Sequence, residues 1–229
     1  MSKTWETLRS EIHGDMNTEG EAFVTDAELL VWANDAVDEV EKIIVDMYDK
    51  YLETEDYLAI TSGTSEYDLP SDIYARKITG LQYNNGNHKY EIKPIKRKEE
   101  ILHVNPGDDY RFRIINKSTG VKLKLYPTPS ETASEFVTIY YIRSSTDILD
   151  DTDTLDLPLS EAYVKQYIKD RIKEKEMGPM NFNWPSDNLV KEGKHLITSL
   201  QRMIPDDHSD EVEPDFEYYE DLSTDVWEY

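Results

Sequence analysis

The spacing of apolar side chains divides the chain into helical ends and a strand-rich middle. Trp5, Leu8, Arg9 and Ile12 fall at helical intervals, so Thr4 to His13 reads as a short amphipathic helix stopped by Gly14. A polar loop runs to Phe23. Thr25-Asp26-Ala27-Glu28 then has the form of a capping box, in which a hydroxyl and a carboxylate satisfy each other's backbone amides at a helix start. Behind it Leu29, Trp32, Ala33, Ala36, Val37, Val40, Ile43, Ile44, Met47 and Tyr51 hold one stripe, which predicts a long helix of roughly seven turns.

After Leu52 the period changes to two. Tyr57 to Thr61 reads as a strand, and Ser65 to Pro70 as an extended segment, because the residue before a proline is kept out of the helical region. Leu81 and Tyr83 predict one arm of a hairpin and His88, Tyr90 and Ile92 the other, with His88 on the inward face and Asn85-Gly86 as a type I′ turn. Pro106 and Gly107 occupy the central places of a type II turn. A second hairpin pairs Tyr110, Phe112 and Ile114 with Val121, Leu123 and Leu125, and Phe136 to Arg143 supplies a further strand.

Helical spacing returns after an acidic loop from Asp147 to Asp156. Leu159-Ser160 opens a run bearing Ala162, Tyr163, Tyr167, Ile168 and Ile172 and ended by Gly178-Pro179. Ser186-Asp187 caps a last helix with Leu189, Val190, Leu196, Ile197, Leu200 and Ile204, interrupted by Gly193. Since the first and last helices each have one apolar stripe, packing them together buries both. The expected class is therefore α+β: a helical bundle from the N- and C-terminal helices, an inserted antiparallel β lobe, and an extended acidic tail. The expected segments are 1–54, 55–146, 147–204 and 205–229.

Composition narrows the possible roles. The 229 residues contain no cysteine, which removes disulfides, thiolate nucleophiles and cysteine-based zinc sites. No run approaches the ~20 apolar residues of a membrane span, and the first five residues lack the apolar block of a signal peptide, so an intracellular origin and no membrane partner are expected. A net charge of −23 opposes attraction to DNA or to anionic lipid. That charge is uneven: from Arg76 to Lys124 twelve Lys or Arg face five Asp or Glu, whereas Pro205 to Tyr229 hold eleven Asp or Glu and no Lys or Arg.

Residues for chemistry are missing by the same reading. The five histidines show no metal-ligand spacing. Asp147, Asp150, Asp151, Asp153 and Asp156 lack the central glycine and final glutamate of a calcium loop, and read instead as a charged connector before a helix N-terminus. Neither a phosphate loop nor a nucleophile elbow is present. The expectation is a protein without catalytic residues or cofactor.

Two features point to docking. Arg111, Arg113, Lys122 and Lys124 share one face of the second hairpin, because side chains two apart on a strand share a face. With Lys96, Arg97 and Lys98 they could track phosphates beside Tyr90, Tyr110 or Phe112, or meet an acidic surface of another copy or partner, or simply stand in solvent. The tail is too charged to collapse on itself, yet carries Phe216, Tyr218, Tyr219, Trp227 and Tyr229, rings suited to ordering on another protein. A tail kept for solubility is the plainer alternative.

In its order of parts the chain resembles tailed-phage head-to-tail connector proteins. The likeness is carried by Asp26, Glu28, Leu29, Trp32, Asn34 and Ala36 in DAELLVWANDA, by Tyr67, Leu69 and Pro70 at the start of the β insertion, and by the returning C-terminal helices. It implies a ring, commonly dodecameric, bound beneath the portal protein of the virion at the head-tail junction and made in the host cytoplasm. The resemblance further implies a tail or neck component below the ring, a C-terminal extension that docks on the portal, and passage of DNA without specific binding. An acidic DNA-mimicking inhibitor is the alternative, opposed by the placing of so much charge in a flexible segment.

Overall fold

The computed structural model describes residues 3–18, 23–118, 120–157 and 159–203 and divides the chain into two units. Of the described residues, one unit comprises those through Tyr51 together with those from Ser145 to Met203; the other is Leu52–Ser144. The class is α+β, with sheets that are antiparallel except where Lys93 and Pro94 pair in parallel with Arg111 and Phe112.

In the first unit, α1 (Trp5–Met16) starts where the Thr4 hydroxyl accepts the Thr7 amide, and it buries Trp5, Leu8 and Ile12. Gly14 does not end it. The helix continues to Met16 and leaves through Asn17, whose φ of 54° turns the backbone left-handed while its amide still donates to the His13 carbonyl. A glycine costs a helix only about 1 kcal/mol relative to alanine, too little to outweigh the burial of the apolar face.

Both halves of the expected capping box are formed at the start of α2 (Asp26–Tyr48). The Glu28 amide donates to the Thr25 hydroxyl at 3.2 Å, and the Thr25 amide donates to the Glu28 carboxylate at 2.9 Å. Its stripe is buried from Leu29 to Met47, with Trp32 and Ile43 half-buried at the margin. The α-helix ends a turn earlier than the stripe implies, tightening into a 3₁₀ turn over Asp49–Leu52.

The chain returns through α3 (Glu161–Met177), which packs on α1, on α2 and on α4 (Asp187–Gln201). Tyr163, Val164, Tyr167, Ile168 and Ile172 are buried, whereas Ala162 is exposed. Ser160 opens α3 without capping it: its backbone is already helical, not extended as at Thr25 and Ser186, and its hydroxyl donates to the Leu157 carbonyl at 2.6 Å. Ser186 does cap α4, accepting the Leu189 amide. Ile204 and the predicted tail lie outside the described residues.

The second unit holds two four-stranded sheets. The first has the order β1 (Glu53–Ile60), β8 (Ala133–Arg143), β3 (Ile73–Asn84), β4 (Lys89–Glu91); the second has the order β2 (Glu66–Asp68), β7 (Gly120–Tyr126), β6 (Arg111–Lys117), β5 (Lys93–Pro94). The β6/β7 register sets Phe112 opposite Leu125 and Ile114 opposite Leu123, as the alternation predicts. Leu58, Ile60, Leu81, Ile92, Leu123, Leu125, Val137 and Ile139 form the centre of one core built by both sheets. The β3/β8 ladder breaks between Ile73 and Ile78, where Ala75 and Arg76 take φ values of 44° and 64°.

Two turns can be compared with their predicted types. Gly107 has φ of 98° and the Asp108 amide donates to the Asn105 carbonyl, which is the type II arrangement expected. In the first hairpin the Asn85 amide bonds the His88 carbonyl, so Gly86 and Asn87 are the central pair; only Gly86 has positive φ, which belongs to type II′ and corrects the type I′ expectation. The Asn85 side chain accepts both the Asn87 and His88 amides. His88 thereby sits in the turn and is exposed, contrary to its predicted place on the inward face.

A Cβ added at Gly193 would touch the Tyr163 ring at 3.5 Å, an ordinary contact, in a helix interior. Gly193→Ala is expected to stabilise the protein by about 0.5–1 kcal/mol through helix propensity. The midpoint of urea unfolding followed by circular dichroism checks this; an unchanged or lower midpoint would show that the ring cannot accept the methyl.

Candidate interaction site

The predicted basic face is real as a face, but most of its charge is neutralised within the unit. Arg113 pairs directly across from Lys124, a repulsive juxtaposition in an isolated hairpin. Strand β2 relieves it from the other side by setting Glu66 opposite Lys124 and Asp68 opposite Lys122. Lys122 is paired with Asp68, Lys117 with Glu66, Lys124 with Glu66 at 3.4 Å, and Arg111 with Glu100 at 3.9 Å. Lys117, with Lys124 beside it, holds the Glu66 carboxyl below the usual range. Arg113 has no ion-pair partner among the described residues. The alternation of Glu66 and Asp68 was the signal available in the sequence; which strand they face was not.

A second feature of the same unit gathers two of the stacking candidates, Tyr90 and Tyr110, around Tyr83. Tyr83 on β3 and Tyr90 on β4 pair across the hairpin, with rings stacked at 5.0 Å between centroids. Tyr110 meets Tyr83 edge-on at 5.4 Å, and its amide donates to the Tyr90 hydroxyl at 3.0 Å. The Tyr83 hydroxyl donates to Glu131 at 2.5 Å. Burial, reinforced by the Glu131 carboxylate, pushes the Tyr83 phenol well above its ordinary range and that of Tyr110 up to about 12. These rings therefore stay neutral. They wall a cleft of about 300 Å³ whose rim carries Asp108, Asp109 and Glu131, with His88 and no Lys or Arg in its lining.

In the helical unit, ion pairs sew the elements together. Lys165 and Lys169 on α3 reach Asp15 on α1 at 2.8 and 2.6 Å, and Lys165 also holds Glu11. Arg9 bridges Asp26 and Asp151, while Lys175 bonds Glu28, the capping residue of α2. Asp170 is fully buried and accepts hydrogen bonds from Gln166 and Ser186. The acidic loop is occupied with its own backbone: Asp153 accepts the Leu149 and Asp150 amides, and Asp150 accepts the Thr152 amide and hydroxyl. Among the described residues no group of three or more His, Cys, Asp or Glu could hold a metal ion, and no helix is long and apolar enough to cross a membrane.

The motif residues also have structural work. Asn34 clamps the acidic loop by donating to the Ile148 carbonyl at 3.1 Å and accepting the Ile148 amide at 2.9 Å. Tyr67 is buried opposite Leu123, its hydroxyl donating to the Thr64 carbonyl at 2.6 Å. Phe216, Tyr218, Tyr219, Trp227 and Tyr229, the expected docking rings, lie outside the described residues.

These features define a mixed α+β scaffold whose motif residues close loops and caps. A family model described as SU10 adaptor protein matches residues 3–178, from before α1 to the end of α3. The chain belongs to that family of phage structural adaptors, which bears out the resemblance carried by Asp26 to Ala36 and Tyr67 to Pro70. No protein with a curated description matches its sequence.

The α1–α3 ion pairs give a measurable pH dependence. Hydrogen bonds from Lys165 and then Lys169 lower the Asp15 carboxyl from its ordinary 3.8 to about 2. A depressed folded-state value contributes stability above pH 3.8, and that contribution is lost as pH falls from there towards 2. Carboxyl NMR titration should place Asp15 near 2 in the wild type and return it towards 3.8 in Lys165→Met/Lys169→Met. A wild-type midpoint at the ordinary value would remove the pairing.

Proposed function

We propose that this protein is a non-enzymatic connector of the virion neck, assembled as a ring beneath the portal, with a dodecamer the copy number its resemblance implies. The observation that carries the reading is the adaptor-family match across most of the chain. In this reading the helices form a bundle, the tail from Pro205 grips the portal through Phe216, Tyr218, Tyr219, Trp227 and Tyr229, and basic side chains of the β unit contact the adjacent copy or the next neck component.

Charge supports the same role. A ring through which DNA slides must not hold phosphates, and a chain of net charge −23 repels them. Repetition around the ring multiplies weak tail contacts, because one engaged copy raises the effective concentration of its neighbours at adjacent portal sites.

Removing residues 205–229 should abolish capture by purified portal, while circular dichroism of the shortened chain keeps its helix and strand signals. Capture at undiminished strength by the shortened chain would place the portal grip elsewhere.

A further inference from the structure

We infer that the tyrosine cleft of the β unit is the receptor for the Lys96-Arg97-Lys98 segment of a second copy of this chain. The inference rests on the ring reading and specifies how neighbours would engage.

The chemistry of the cleft suits a cation. Its lining bears Asp108, Asp109 and Glu131 beside three phenol rings and holds no Lys or Arg, although Arg111 shares an adjoining cavity with Asp108 and Asp109. Asp108 is partly used by the Asn105 amide and Glu131 by the Tyr83 hydroxyl, whereas Asp109 is exposed with no partner among the described residues. Aromatic faces beside carboxylates bind a guanidinium or ammonium group by combining the ring quadrupole with charge, and a planar guanidinium also stacks. Tyr90, only half-buried, is the ring most open to such a group.

The same unit supplies the cations. Lys96-Arg97-Lys98 is the one run of three consecutive basic residues in the chain, and all three are exposed. Arg111, Lys117, Lys122 and Lys124 each have a carboxylate partner, but Lys96, Arg97 and Lys98 have none among the described residues. They follow β5 and do not line the cleft of their own copy. A knob and a socket at different places on identical subunits make a head-to-tail contact, the kind that closes into a ring when its rotation permits. A DNA phosphate would also attract the three cations, but carboxylates at the socket exclude it there.

The absence of native cysteine makes the contact testable by disulfide trapping in full-length chains. Arg97→Cys chains mixed with Asp109→Cys chains and oxidised should give covalent dimers, well above the yield from Arg97→Cys with Glu55→Cys, a position on β1 outside the cleft. In sedimentation experiments Arg97→Glu and Asp109→Arg should each weaken self-association by about tenfold or more, and the double variant should recover it. If assemblies form but no selective cross-link appears and both reversals are silent, the socket is wrong while the ring reading stands. If the wild-type chain never associates, alone or with portal, both fail.

Discussion

Self-repulsion is the constraint the rest of this structure answers to. With 48 Asp or Glu against 25 Lys or Arg, apolar burial alone must work against a field that favours expansion, so the position of each cation matters more than the number of ion pairs. An exposed pair in isolation contributes about 0–1 kcal/mol. Here the pairs sit where elements meet: Lys165 and Lys169 between α1 and α3, Lys175 against the capping residue of α2, Lys122 and Lys124 against β2. Pairs so placed set register and approach, while the buried apolar side chains, Leu8, Ile12, Leu29, Ile44 and Ile168 among them, contribute the greater part of the cohesion.

What could be read from the sequence was what depends on neighbours in the chain. The Thr25–Glu28 box, the Pro106-Gly107 turn and the alternation of β6 with β7 are decided within a few residues, and each is present. Gly14 misled because its backbone penalty is smaller than the burial around it. The first hairpin misled by one position, which moved His88 from the expected inner face into the turn.

Long-range pairing was hidden for a physical reason. The basic face was visible in the spacing of Arg111, Arg113, Lys122 and Lys124, but its neutralisation comes from β2, some fifty residues distant along the chain. The tyrosine cleft likewise joins β3, β4 and the segments before β6 and β8. Its Tyr83–Tyr90 pair lay in the predicted alternation, and the approach of Glu131 is a product of topology. The family motifs were legible as motifs; their roles as clamp, cap and loop closure appear only when Asn34 meets Ile148 and Tyr67 meets Thr64.

The β insertion departs and returns on adjacent strands, since Glu53 at the start of β1 is in register with Ile142 near the end of β8. Just beyond, the Ser145 amide is received by the Glu41 carboxylate. With the two ends held side by side, the far loops of residues 52–144 have room to vary or lengthen without disturbing the point of insertion. An adaptor of this family could thus vary those loops without redesigning its helices.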